Sequence, residues 1–132
     1  MSIDTDVIVQ ALPLLLKGLK VTAAVSLVGI TIGLVIGAVA AYMADSATWA
    51  FKAVARTYVE CVRNIPFLIL VYLAFFGLPK LGLHFSAHAI GIGASAFYTG
   101  GYFSEIARAA LRSVPRGQVA AARSLGMNAV QV

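Results

Sequence analysis

The 132 residues are 61% hydrophobic and only 11% charged, whereas soluble globular domains average about 25% charged. The net charge of +5 does not point to nucleic acid, because the basic residues flank apolar runs and no stacking aromatics interleave with them outside those runs. What remains is an all-α integral membrane protein with room for about three transmembrane helices.

Residues 1–15 mix acids, Pro13 and apolar side chains, and are expected to form an extracytoplasmic segment, with a short amphipathic helix lying along the interface. The first span is expected at about 20–43, where the uncharged run from Val21 to Ala44 exceeds the roughly 20 residues that cross a bilayer. Lys17, Lys20 and the later Ala38-Val39-Ala40 imitate a secretory signal. The run is too long for that role, which uses about 7–15 apolar residues, and two more spans follow. Within the run Gly29, Gly33 and Gly37 recur every fourth residue. Such a ridge lets two helix backbones approach closely, whether within this chain or at a dimer seam.

From Asp45 to Val62 the chain reads as a turn followed by a helix, with Trp49, Phe51, Val54 and Tyr58 apolar and Lys52, Arg56 and Arg63 free to reach lipid phosphates. Asn64-Ile65-Pro66 interrupts it, since proline lacks a backbone donor and disfavours helix in the residue before it. A second span is expected at about 64–79, bounded by Arg63 and Lys80, with Tyr72, Phe75 and Phe76 suited to an aromatic belt. A third is expected at about 87–107. His84 and His88 stand four apart and are expected to share a helix face, yet two ligands fall short of the three or four that zinc requires. Cys61 is the single cysteine, so no intrachain disulfide exists.

The third span is glycine-rich and carries Tyr98, Thr99, Glu105 and Arg108. An ionisable residue in a span is a pathway or gating candidate, but Glu105 and Arg108 also have the spacing of a structural helix pair. Asn64, Tyr98 and Thr99 either line a polar route or satisfy neighbouring helices. Val114-Pro115-Arg116-Gly117 then marks a turn, Gln118 to Ser124 favours helix, and Leu125-Gly126 stops it. Arg108, Arg112, Arg116 and Arg123 outweigh Glu105 here, while Asp4 and Asp6 open the chain. Positive-inside logic therefore places the N-terminus outside and the last segment in the cytoplasm. Lys17 and Lys20 count mildly the other way.

Four blocks in order carry a family resemblance: Arg63-Asn64-Ile65-Pro66-Phe67-Leu68, Phe75-Phe76-Gly77-Leu78-Pro79, Tyr102-Phe103-Ser104-Glu105-Ile106-Ala107-Arg108, and Ser113-Val114-Pro115-Arg116-Gly117-Gln118. From about residue 16 onward the chain resembles the permease subunits of polar amino acid ABC importers, of the histidine, glutamine and arginine type. The resemblance implies the N-terminal part of a type I importer transmembrane domain over residues 16–132, in a bacterial cytoplasmic membrane. It also implies a cytoplasmic coupling loop at about 113–128 that seats in an ATPase subunit, with Gly117, Gln118, Ala121, Ala122 and Gly126 at matching positions and Ala120 where the family usually has glutamate. Implied partners are two ABC ATPase subunits, a second permease subunit, identical or different, and an extracytoplasmic amino acid-binding protein. Family members continue into further helices, so the chain is expected to be truncated at its C-terminus.

No phosphate-binding glycine loop occurs, so no cofactor is expected on this chain, and ATP and Mg belong on a partner. A membrane-bound enzyme would need a cluster of acids, histidines or a nucleophile at one depth, and only Glu105 qualifies. A small self-associating membrane protein built on the glycine ridge and an inactive permease remnant are the alternatives.

Overall fold

A computed structural model describes residues 5–128 and 131. Its regular elements are five helices: α1 (Thr5–Ala44), α2 (Trp49–Asn64), α3 (Phe67–Lys80), α4 (Ala87–Ser113) and α5 (Arg116–Ser124). α1 has 40 residues and at 1.5 Å per residue is about 60 Å long, twice the thickness of a hydrocarbon core. It runs without a break through residues 15 and 16, so the separate amphipathic segment expected from the sequence is instead the first turns of this helix. Pro13 is tolerated within it: it forfeits one bond to the preceding turn, and the leucines around it are strong helix formers. Asp4, used above for orientation, lies outside the described residues.

α4 is the hub, packing against α1, α2 and α3. Its longest contact is with α1, and the glycine ridge is the reason. A Cβ added at Gly29 would lie 2.7 Å from Ser95 Cβ, one at Gly33 2.7 Å from Thr99 Cβ, and one at Gly37 2.7 Å from the Gly100 carbonyl oxygen. The α4 side is small at matching points, since a Cβ at Gly100 would meet Ile36 at 2.9 Å and one at Gly101 would meet Val62 of α2 at 2.6 Å. Hydrophobic force between helices is weak in lipid, so close dispersion contact along such ridges carries the packing.

The Asn64-Ile65-Pro66 interruption separates α2 from α3, and their axes bend by 103°. Hence the span expected at 64–79 is not one straight crossing: α3 has 14 residues, about 21 Å of helix against a core of about 30 Å. Among the described residues α1 alone is both long and apolar enough to cross a membrane, and the bent α2–α3 pair qualifies only if counted as one span. α4, at 27 residues, has the length, but its serines, glycines and charged last turns dilute its apolar character. It continues to Ser113, beyond the expected end at 107.

Two helix ends close on left-handed glycines. Gly82 has φ 80°, with Leu83 N–H donating to Leu78 O and Gly82 N–H to Pro79 O, the paired bonds of a Schellman cap. The N-terminus of α4 is capped by Ser86, whose Oγ accepts from Ala89 N–H at 3.2 Å. His84 lies in the loop before α4, with its Nδ1 3.3 Å from Gly82 O. It therefore does not share a helix face with His88, because the Ser86 cap starts the helix only after it.

Candidate functional site

The C-terminal turns of α4 meet the last residue of α1 and one face of α2, and there the charged side chains of three elements converge. Glu105 accepts from Arg108 at 2.9 Å and lies 3.5 Å from Arg63 of α2. Arg108 also reaches Asp45, just past α1, at 3.5 Å, and Arg112 donates to the same carboxylate oxygen at 2.9 Å. Three guanidiniums and two carboxylates thus form one chain of contacts from α2 through α4 to the end of α1. Arg108 is its most sheltered member, with a side chain 15% exposed. The hydrogen bond from Arg112 holds the Asp45 carboxyl below 3.8, aided by the charges of Arg108 and Arg112 and opposed by partial desolvation.

Beside this chain lies a cavity of about 280 Å³ lined by Arg56, Glu60, Arg63, Glu105 and Arg108 over a floor of Ala44, Ala55 and Val59. Deeper in, Ser104 is fully buried. Its Oγ and Arg108 Nε have no hydrogen-bond partner among the described residues, in a region where such groups cost about 1–3 kcal/mol each. The arrangement can hold helix ends together by charge. It offers no nucleophile paired with a base.

Two residues beyond α4, α5 stands apart and packs on no other helix among the described residues. Pro115 precedes it as its N-cap, and Gly126 (φ 81°) ends it. Met127 N–H donates to Ala122 O and Gly126 N–H to Arg123 O, again a Schellman cap that needs glycine at this position. Gly117 has open space around it, and Gln118 and Ala121 are exposed while Ala122 is half-buried. The exposed Ala120 carbonyl accepts from Ser124 Oγ at 3.0 Å.

The other residues singled out in the sequence fall in different places. Asn64 Nδ2 donates to the Glu60 carbonyl at 2.8 Å, closing the end of α2 on itself. Thr99 packs on Gly33. Tyr98 donates to Tyr102 Oη at 3.3 Å and meets the Phe67 ring edge-on at 5.2 Å. Asn64, Tyr98 and Thr99 are therefore engaged with neighbouring helix atoms and rings, and only Glu105 and Arg108 of the candidate pathway residues belong to the charged cluster. Gly29, Gly33 and Gly37 all face α4. Asp45, Arg63 and Arg112 were not among the site candidates. Their common position at or just beyond the ends of helices was the available signal.

Comparisons with known proteins give the family. Residues 29–132 match the family model described as "Binding-protein-dependent transport system inner membrane component". The chain is 30% identical over 125 residues to the probable amino-acid ABC transporter permease protein YckA of Bacillus subtilis, covering 95% of this chain and 55% of that protein. It is 31% identical over 130 residues to the glutamine transport system permease protein GlnP of Escherichia coli, covering 97% and 59%. A solved structure, "Crystal structure of an amino acid ABC transporter with histidines", superimposes with a TM-score of 0.88 at 35% identity, covering 98% of this chain and 61% of that one. The chain thus spans between one half and two thirds of the proteins it matches. With the family model covering most of its residues, the chain belongs to the binding-protein-dependent transport system inner membrane components.

Proposed function

We propose that this chain supplies the membrane-embedded part of an ATP-driven importer of polar amino acids, with α5 as the contact that couples it to an ATPase subunit. The observation that carries the reading is α5 itself: a short, glycine-closed helix with three consecutive alanines, joined to α4 by two residues and without a packing partner among the described residues. A helix that a chain makes, caps and leaves uncovered has its surface available for another protein, and alanines at 121 and 122 permit close approach. The permease relatives and the solved amino acid transporter point to the same class.

In this reading the N-terminus is outside and α5 is cytoplasmic, as the arginines of its segment require. ATP and Mg are bound by the partner ATPase. A second permease subunit, identical or different, completes the pathway, and an extracytoplasmic binding protein delivers the amino acid. The charged cluster at the base of α4 keeps the α4–α5 junction in register with α1 and α2, so a push on α5 moves a packed unit and not a single helix end.

Co-purification from membranes with a co-expressed ATPase subunit tests the proposal. The native chain is expected to retain the ATPase, and Ala122→Trp to lose it while remaining in the membrane. Equal retention by both, or by neither, contradicts the assignment of α5. The self-associating alternative requires a free glycine ridge, and that ridge is covered by α4.

A further inference from the structure

Down one face of α4 runs a stripe of hydroxyls that the charged cluster does not use. Ser95, Tyr98, Thr99 and Tyr102 recur at spacings of three and four, within an arc of about 100° at 3.6 residues per turn. Across from them on α1 stands Ser26, and a groove of about 310 Å³ is lined by Ser26, Ile30, Phe67, Ser95, Tyr98 and Thr99. A second groove, also about 310 Å³, starts from the same Tyr98 and Thr99 and adds Leu34 and Tyr102. The stripe lies deep: Thr99 packs on Gly33, about 18 Å along α1 from Val21 in a core about 30 Å thick. A hydroxyl on a membrane helix can bond to the carbonyl one turn back, as exposed Thr31 does to Leu27 O at 2.7 Å. The hydroxyls of half-buried Ser26, Ser95 and Thr99 make no hydrogen bond among the described residues. The other flank of the α1–α4 pair differs. Its groove of about 440 Å³ is walled by apolar side chains such as Val35, Val39 and Val54, and the one hydroxyl there, on Tyr58, is satisfied by the Phe97 carbonyl at 2.6 Å.

We propose that the hydroxyl stripe is the wall of a hydrated passage for a small polar solute, while the Val35 flank faces lipid. Water supplies Ser26, Ser95 and Thr99 with the partners that hydrocarbon cannot. A zwitterionic solute moving along the stripe exchanges its water bonds for bonds to hydroxyls, which both donate and accept. It meets no fixed charge until Glu105, one turn past Tyr102, so nothing on the stripe holds it in place. That the solute is an amino acid rests on the importer reading; that the groove is wet does not.

The test introduces Ser26→Cys, Ser95→Cys or Thr99→Cys singly into the Cys61→Ser chain. Val35→Cys is the lipid-side control at matching depth, since Val35 is 63% exposed and two residues from Gly33. Detergent-free membrane vesicles with co-expressed ATPase are treated with methanethiosulfonate ethyltrimethylammonium, itself a small charged solute, and labelling is followed by intact mass. The three stripe cysteines are expected to react at least about tenfold faster than Val35→Cys, because the thiolate is the reactive form and apolar surroundings suppress it. Equal rates at the stripe and at Val35, fast or slow, overturn the proposal, whether lipid or a dry seam with another subunit covers the stripe. Far-UV circular dichroism of each purified variant, expected to match that of the Cys61→Ser chain, separates a dry groove from an unfolded one. ATPase retained beside an unlabelled stripe overturns this assignment alone. A labelled stripe without ATPase retention upholds it and removes the importer reading.

Discussion

The glycine ridge of α1 gives a prediction that can be graded position by position. A Cβ at Gly29 meets Ser95 Cβ at 2.7 Å and the Ile92 carbonyl at 3.2 Å, whereas at Gly37 it meets the Gly100 carbonyl at 2.7 Å and Phe103 at 2.8 Å. Ordinary contact begins near 3.4 Å, so each alanine needs about 0.7 Å of separation, enough to forfeit a quarter or more of local dispersion energy. Overpacking of this kind costs about 1–3 kcal/mol, and the better helix propensity of alanine returns about 1 kcal/mol. The net loss is expected to be small at Gly29 and about 2 kcal/mol at Gly37, where backbone blocks relief. Pairing Gly29→Ala with Ser95→Gly removes the clashing atom, and a coupling energy of about 1–2 kcal/mol is expected, within the range for residues in contact. No side-chain truncation removes the Gly100 carbonyl, so Gly37→Ala has no comparable rescue. The assay is unfolding in mixed micelles of rising SDS fraction, followed by near-ultraviolet circular dichroism from the Tyr58–Phe97 and Phe67–Tyr98 ring pairs, which are both anchored on α4. Gly37→Ala tolerated as well as Gly29→Ala, or no coupling between positions 29 and 95, refutes the ridge geometry.

Other outcomes follow from the same contacts. Tyr58→Phe keeps the edge-on ring pair with Phe97 but loses the 2.6 Å hydrogen bond from Tyr58 Oη to the Phe97 carbonyl; a loss of about 0.5–1.5 kcal/mol in the same unfolding assay is expected. Asp45→Asn removes the negative charge that Arg108 and Arg112 face while leaving one amide oxygen able to accept, and both sides of the Arg112 pair are substantially exposed, so the cost is at most about 1 kcal/mol. Because the Asp45 pKa is depressed below 3.8, its contribution is present above that value and lost as pH falls through the depressed value. The native and Asp45→Asn proteins are therefore expected to differ by a constant amount from pH 8 to pH 5 and to converge in acid, as an SDS-unfolding series across pH will read. Ala120→Glu places a carboxylate on the open face of α5 and is expected to tighten ATPase retention about fivefold through a charge-assisted hydrogen bond, measured by competition in co-purification. Unchanged retention removes Ala120 from the contact.

Much of this architecture was legible in local chemistry. The interruption at Asn64-Ile65-Pro66, the start of α4 at residue 87 and the glycine stop after α5 all follow from short-range rules for proline, capping and φ, and the structure has breaks at those points. The Glu105–Arg108 pair was readable from its spacing of three. Its extension was not: Arg112 and Asp45 are 67 residues apart, and only the packing of α4 on α1 brings them together. The continuity of α1 was missed because Pro13 and the flanking polar residues suggested a boundary, whereas one lost backbone bond near the start of a 40-residue helix is a small penalty. The 103° bend between α2 and α3 was likewise beyond local reading. A proline announces a break, but the direction in which the chain resumes is set by what it packs on, here the ring of Tyr98 against Phe67.

The proposed role of α5 is to seat an ATPase subunit. A photo-crosslinking amino acid placed singly at Gln118, Ala121 or Leu125, with Leu27 on the exposed apolar face of α1 as control, reads this directly in cells that co-express the ATPase. Crosslinks to the ATPase from the α5 positions and none from Leu27 are the expected result. Crosslinks absent from α5, or equally strong from Leu27, contradict the coupling role and with it the proposed place of this chain in an importer.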